Sequence, residues 1–395
     1  MHRSRYEESP QERRLQGLEV IVKVTERCNI NCRYCYFFNG SDDSFRHQPA
    51  VISTETAHAI ASFLREGSEV LGLKAIRIIF HGGEPLLLGK RRLDEFCKVL
   101  AQTLTPVVSL TLSMQTNATL IDAEWIDIFR RHDVRVGVSL DGPPEYNDLD
   151  RVDFRGRGTH DDTVRGLRLL QGAVANGSIK GAGILCVINP RHSARRIYRY
   201  FVDDLHVKHM DFLLPDLTHD TLEGQPEAYG AFLCELFNTW VSDDDPSINV
   251  RTLTAIMSLM LGGPSWVEGF GREAAPAVTI RGDGSLQPTD VLRACGPEMM
   301  ATGATVTSTT LKEFLQSTVL QRLQGEYEDV CRQCRRCCWL EVCGGGSMVH
   351  RYRKINRFDN PSVLCGGLKN FYAEVGAYLV TRGLPVERLR HVLAL

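Results

Sequence analysis

From Leu18 onward the chain alternates short apolar runs with longer stretches in which apolar residues return every three or four positions. The short runs, at residues 18–25, 75–80, 107–115, 134–140, 182–188 and 210–214, have the length and flanking signals of buried strands. The stretches between them, at 53–71, 91–104, 123–132, 161–176 and 193–205, carry the helical period of an apolar face. Strands regularly separated by helices predict an α/β fold with a parallel sheet, because parallel neighbours need a long crossover that a helix supplies.

After Pro215 the alternation stops. A polar stretch leads into a helical region at 228–260, interrupted around 243–246, and then a hairpin at 277–287 that turns on Gly282-Asp283-Gly284. Residues 331–365 are dense in Cys, Gly and Arg, the composition of a loop-rich segment folded around metal. A closing helix and tail are expected over 371–395. The organisation read from these patterns is a polar tail at 1–16, a β/α domain at 17–235, a helical linker and hairpin at 236–325, a cysteine-rich domain at 326–370 and the closing segment.

A chain of 395 residues, 43% apolar and 24% charged, can bury a sizeable core. Its net charge of −2 gives no reason to expect nucleic acid or an anionic membrane as partner. No apolar run approaches the length of a membrane span, and the first residues are polar, so a cytoplasmic protein is expected. Thirteen cysteines in such a chain argue for metal binding over disulfides.

Three of those thiols, Cys28, Cys32 and Cys35, form a CxxxCxxC loop directly after the first strand. Iron–sulfur cubes ordinarily take four cysteines, so three would leave one iron open to a small molecule. The alternative is a zinc knuckle, which ordinarily shows two separated CxxC pairs. The loop, with Tyr34 before its third cysteine, closely resembles that of the radical S-adenosylmethionine (SAM) superfamily. The resemblance implies a partial (β/α)6 barrel with a [4Fe-4S] cluster on Cys28, Cys32 and Cys35, whose open iron binds SAM. In β/α barrels the chemistry sits at the C-terminal ends of the strands, which is where this loop falls.

His81-Gly82-Gly83-Glu84-Pro85 follows the second strand and resembles the GGEP motif of that family, which implies contacts to SAM from His81, Gly82, Gly83 and Glu84. The same resemblance implies SAM contacts from Asn117, Ser139, Val187 and Leu213 near the ends of later strands. It also implies one arginine, chosen as Arg151 over Arg155 and Arg157. Cys97, Cys186 and Cys234 read as small buried hydrophobes.

Cys334-x2-Cys337-x5-Cys343 and the distant Cys365 resemble the SPASM extension of peptide-modifying radical SAM enzymes, including anaerobic sulfatase-maturating enzymes. These four positions imply one auxiliary [4Fe-4S] cluster. Ser347 and Thr289 stand where that family's pattern would place ligands of a further cluster, and an irregular third cluster on Cys295, Cys331 and Cys338 is the alternative to that site's absence. Asp290, after Thr289, is expected as the base that takes the substrate's proton, with turn capping as its alternative role. The segments 211–216, 343–352 and 358–365 resemble a subset of ribosomal-peptide maturases that form cyclophanes. The implied activity is hydrogen abstraction from a precursor peptide followed by linkage of an aromatic ring to a side-chain β-carbon, with a reductant such as flavodoxin or ferredoxin as electron donor. Formylglycine formation in a sulfatase, a small-molecule dehydrogenase and a non-catalytic iron–sulfur sensor or scaffold are the alternatives.

Overall fold

The computed structural model describes residues 16–265, 267–272 and 277–393; the tail expected at the N-terminus lies, up to residue 15, outside them. Six strands follow the expected positions: β1 Gly17–Thr25, β2 Ala75–Gly82, β3 Ser109–Thr116, β4 Arg135–Ser139, β5 Ala182–Val187 and β6 His209–Leu213. Each is parallel to the next, in chain order. In the first half of β1 the buried Leu18, Val20 and Val22 alternate with the less buried Gly17, Glu19 and Ile21, which commits one face of the sheet to the core, and from Val22 to Thr25 every residue is buried.

The crossovers are helical: α1 Thr54–Leu71, α2 Lys90–Leu104, α3 Ala123–His132, α4 Pro144–Asp150, α5 His160–Ala175 and α6 Ala194–Arg199. Helix α1 shows why its sequence starts and stops where it does. The Ser53 side chain accepts from the Thr56 amide at one end, and Gly72, at φ 67°, closes the other in the left-handed conformation that a side chain disfavours.

The region expected as a linker belongs to the sheet. The two-residue β7 (Asn249–Val250) pairs parallel with β6, and β8 (Ala277–Ile280) pairs parallel with β1 and antiparallel with β9 (Leu286–Gln287). One sheet of nine strands results, in the order β7-β6-β5-β4-β3-β2-β1-β8-β9, and it is an open barrel because β6 and β1 never meet. Local pattern could show the 277–287 hairpin but not its partner, which lies far back in the chain. Arg281 fixes that junction with two hydrogen bonds to the buried Glu26 carboxylate just beyond β1.

Two expected boundaries move for a related reason. Helix α7 (Glu227–Asp243) runs through residue 235 and packs on the closing helix, which spans Cys365–Thr381 and so starts inside the cysteine-rich segment. The two helices touch at Gly230 and Gly367, where a Cβ added to Gly230 would lie 2.2 Å from the Gly367 carbonyl oxygen. Leu364, Leu368 and Phe371 share one continuous core with the barrel. No helix among the described residues is long and apolar enough to cross a membrane.

Candidate active site

A cavity of about 430 Å³ opens at the C-terminal ends of the strands. Cys28, Cys32 and Cys35 line it, as do all nine positions expected against SAM: His81, Gly82, Gly83, Glu84, Asn117, Ser139, Arg151, Val187 and Leu213. Sequence positions spread over almost 190 residues converge because each follows, or ends, a neighbouring parallel strand.

The cysteine loop is pinned by its backbone. Asn31 and Arg33 amides donate to the carbonyls of Val152 and Asp150 at 2.7 and 2.9 Å. The paired glycines serve this loop in a way the sequence did not disclose. A Cβ on Gly82 would lie 2.2 Å from the Thr25 carbonyl oxygen, and one on Gly83 2.3 Å from that of Arg27. Their missing side chains let the β2 turn lie against the chain leading into the cysteine loop, and the Gly83 and Glu84 amides donate there at 3.1 and 2.9 Å. Glu84 ties β2 to β3: Oε1 accepts from Thr116 Oγ1 (2.7 Å) and the Leu86 amide (3.0 Å), and Oε2 accepts from the Asn117 amide (2.8 Å). A carboxylate oxygen accepts about two hydrogen bonds, so Oε2 retains room for one donor from a bound molecule.

Of the three candidate arginines, Arg151 alone is buried. Arg157 pairs with Asp153 at the surface and Arg155 is exposed. The Arg151 guanidinium donates to the Tyr34 hydroxyl at 2.8 Å, Tyr34 donates to Asp141, and Asp141 accepts the Val187 amide at 2.9 Å. Arg151 Nε has no partner among the described residues, although it is buried on the cavity wall. An orphaned buried donor of this kind calls for an acceptor that the protein does not supply. Burial pushes the Cys28 thiol up to about 12 and Cys32 to about 11. Three ionised sulfurs are therefore stable here only with a compensating positive body.

The four expected auxiliary ligands also meet. Cys334, Cys337, Cys343 and Cys365 line a small pocket with Trp339 and Tyr372. Three successive glycines, Gly344, Gly345 and Gly346, take φ of 64°, 93° and 83° after Cys343, a turn that side chains would strain. Tyr372 is 1% exposed, its hydroxyl has no hydrogen-bond partner among the described residues, and it stands beside the Cys343 thiol. Cys331 and Cys338 flank this pocket, close to Cys334 and Cys337 respectively, without lining it. Cys295 packs in a separate apolar cluster with Leu292, Met299 and Phe358. Cys97 and Cys186 are buried and Cys234 packs against the core, as expected of small hydrophobes. Among the described residues no three His, Cys, Asp or Glu groups gather for a single metal ion.

Asp290 does not occupy the place expected of it. It is 2% exposed and absent from the cavity lining, which its neighbour Val291 reaches instead. Its carboxylate is ion-paired with the fully buried Lys23, accepts the Tyr36 hydroxyl at 2.6 Å, and lies 3.8 Å from Arg293. Burial pushes the Asp290 carboxyl up, but the Lys23 and Arg293 charges overcome it and hold the group at about 2. The turn-capping alternative fits no better; the residue is one post of a buried network. Lys23 also contacts His81 Nδ1 at 3.0 Å, and burial followed by the Lys23 charge lowers His81 to about 3, leaving it neutral. Sequence reading missed Lys23, Tyr36 and the carboxylates Asp216 and Glu268, all but Lys23 being on the cavity wall. Lys23 alone carried a signal, as a lysine within an apolar strand.

This arrangement, an open parallel barrel with a three-thiol loop at its mouth, defines a class. Residues 22–189 match the family model described as the Radical SAM superfamily, and the chain carries a radical SAM domain. Over its length it is similar to the cysteine-type anaerobic sulfatase-maturating enzyme of Clostridium perfringens, at 24% identity across 90% of this chain and 95% of that one. It is also similar to the serine-type enzyme of Bacteroides thetaiotaomicron, at 25% identity across 92% and 90%. The solved structure of native anSMEcpe with bound AdoMet superposes with a TM-score of 0.80 at 23% identity, covering 92% of this chain and 98% of that one. Streptococcus suis SuiB bound to S-adenosylmethionine gives 0.57 at 15% identity, covering 89% and 75%.

Radical SAM enzymes bind SAM and a [4Fe-4S] cluster, and the related maturases carry auxiliary clusters. The residues fit these groups: three thiols and an unpaired guanidinium nitrogen share the large cavity, and four thiols with an orphaned hydroxyl share the small one.

Proposed function

We propose that the chain is a radical SAM maturase that takes hydrogen from a residue of a ribosomally made precursor peptide and closes an intramolecular crosslink, joining an aromatic ring to a side-chain β-carbon. The observation that carries the reading is the single cavity that unites the three thiols, the nine SAM positions and a further wall of Asp216, Glu268 and Ser347. Cys28, Cys32 and Cys35 would hold the SAM-binding cluster, and Cys334, Cys337, Cys343 and Cys365 one auxiliary cluster. Together SAM and the first cluster supply a one-electron cleavage that yields a hydrogen-abstracting adenosyl radical.

The protein's own residues bind, orient and exclude water. Arg151, with Nε free, and Glu84, with one acceptor site free, suit a ligand that carries both carboxylate and ammonium groups. The cysteine-rich appendage covers the cavity, since His350 donates to the Pro215 carbonyl at 2.9 Å and Ser347 reaches the wall. Cover of this kind limits the access of solvent to a reactive intermediate.

Formylglycine formation is the second reading, favoured by the near full-length similarity to sulfatase-maturating enzymes. The test is anaerobic incubation of the cluster-loaded, reduced protein with SAM and two peptide classes. One class carries the cysteine or serine of a sulfatase site; the other is encoded by short reading frames beside the gene and has aromatic residues near its C-terminus. A product that has lost two hydrogens and does not react with a hydrazine probe supports the crosslink. A hydrazine-reactive aldehyde supports the second reading, and an unchanged mass for both classes contradicts each.

A further inference from the structure

We propose that Asp216 is the group that receives the proton given up by the substrate radical, an inference that rests on the peptide-oxidation reading above. Asp216 follows the end of β6, directly after Pro215, and lines the cavity. Among the described residues its carboxylate makes no ion pair and no hydrogen bond. Its loop is nevertheless held firmly: Pro215 accepts from His350, the Leu217 amide returns to the Pro215 carbonyl at 2.8 Å, and His219 donates to the Pro361 carbonyl at 2.9 Å. A carboxylate with fixed backbone and free oxygens is what a positioned base requires.

Asp290 cannot do this work in the same way. Its Oδ2 is taken by Lys23 and Tyr36, its Oδ1 has no hydrogen-bond partner among the described residues but is buried 3.8 Å from Arg293 Nε, and the group stands behind the wall. The charged and titratable groups around Asp216 are Glu268 and Tyr36 on the same wall, Asp290 behind it, His350 above Pro215, and Cys295. Arg251, also on the wall, is already committed to Asp211 at 2.7 Å. Burial first, then the Glu268 and Asp290 charges, push the Asp216 carboxyl up to about 8. A base is most effective when its pKa lies near the working pH, whereas a group held at about 2 is a weak acceptor.

In the proposed step a bond to hydrogen in the substrate radical breaks: the ring C–H for a crosslink, O–H or S–H for formylglycine. The proton passes to an Asp216 oxygen, the bonding pair stays on the substrate, and one electron leaves to an oxidised iron–sulfur cluster as one-electron acceptor. Substrate loses one proton and one electron, and the product is closed-shell.

The test uses the cluster-loaded full chain and whichever peptide the wild type converts, with deoxyadenosine and product measured together between about pH 6 and 9. Asp216→Asn is expected to keep deoxyadenosine within about twofold while product falls about a hundredfold, and to lose the rise of product with pH that the wild type shows; Asp216→Glu should restore part of the product. Unchanged product per deoxyadenosine in Asp216→Asn overturns the proposal. If the wild type makes deoxyadenosine yet converts neither peptide class, the reading under "Proposed function" fails and the Asp216 role that rests on it fails with it; product formed by the wild type with an unchanged yield in Asp216→Asn overturns the Asp216 role alone.

Discussion

Replacing Asp290 with asparagine separates a structural post from a base. Lys23 is 0% exposed and Asp290 2%, so asparagine leaves a buried ammonium without its carboxylate partner, beside His81 and the Arg293 charge. Breaking a buried pair from one side costs about 3–5 kcal/mol. The loss has a ceiling, because Lys23, already lowered by burial, can shed its proton. Deprotonating an ordinary lysine at pH 7 costs about 5 kcal/mol, so the penalty cannot much exceed that figure. Lys23→Met should be similarly costly, since it strands the carboxylate with Arg293 and Tyr36. The double variant should cost less than the two singles together by at least about 1 kcal/mol, the signature of contacting residues. Anaerobic chemical denaturation of the loaded protein reads the stability, and deoxyadenosine and product are read in parallel. The structure predicts that Asp290→Asn lowers both activities together. Product lost with deoxyadenosine intact, at a stability within about 0.5 kcal/mol of wild type, would refute the reasoning and restore Asp290 as the base.

Other outcomes follow from the two thiol sites. Anaerobic reconstitution should load about eight irons, two cubes' worth, and about twelve would bring Cys295, Cys331 and Cys338 into play. Arg151→Met should weaken SAM binding at least tenfold by equilibrium dialysis while leaving iron content unchanged, the scale of one lost charge-assisted contact. Tyr372→Phe should lower the reduction potential of the auxiliary cluster in an EPR-monitored titration, since it removes the hydroxyl beside Cys343 and hydrogen bonds to cluster sulfur help set the potential. His81 is held at about 3 against an ordinary value near 6.5, so the folded chain stays neutral there while the unfolded chain takes up a proton. Its contribution is fully present above about pH 6.5 and is lost as pH falls toward 3, and the denaturation midpoint of His81→Gln relative to wild type should improve across that window. The Asp290 contribution, with a lowered pKa, persists until pH falls below about 4 and toward 2.

The parts of the fold visible in the sequence are those whose signal is local. Residues 75–80 are an apolar run with turn residues on both sides, and 53–71 carries a cap, a period and a terminal glycine; both sit within two residues of β2 and α1. The pairing of β8 with β1 joins Glu19–Val22 to Ala277–Ile280, and no local pattern encodes a partner more than 250 residues away. Thiol spacing was equally legible, because six of the seven thiols stand at short intervals within two loops, and both sets, the distant Cys365 included, line their pockets. Single carboxylates were not. Asp290 and Asp216 each follow a strand near the cavity, and only packing reveals that Lys23 seals one and leaves the other free. The glycines of the His81–Pro85 turn were legible as a close approach but not as an approach to Thr25 and Arg27.

The claim on which the rest depends is that Cys28, Cys32 and Cys35 open onto a SAM-cleaving site. Anaerobically reduced, cluster-loaded protein given SAM should release 5'-deoxyadenosine and methionine, and the variant with all three cysteines changed to alanine should release none while keeping about four irons on its auxiliary thiols. Deoxyadenosine from the triple variant, or none from the fully loaded wild type, would contradict the account.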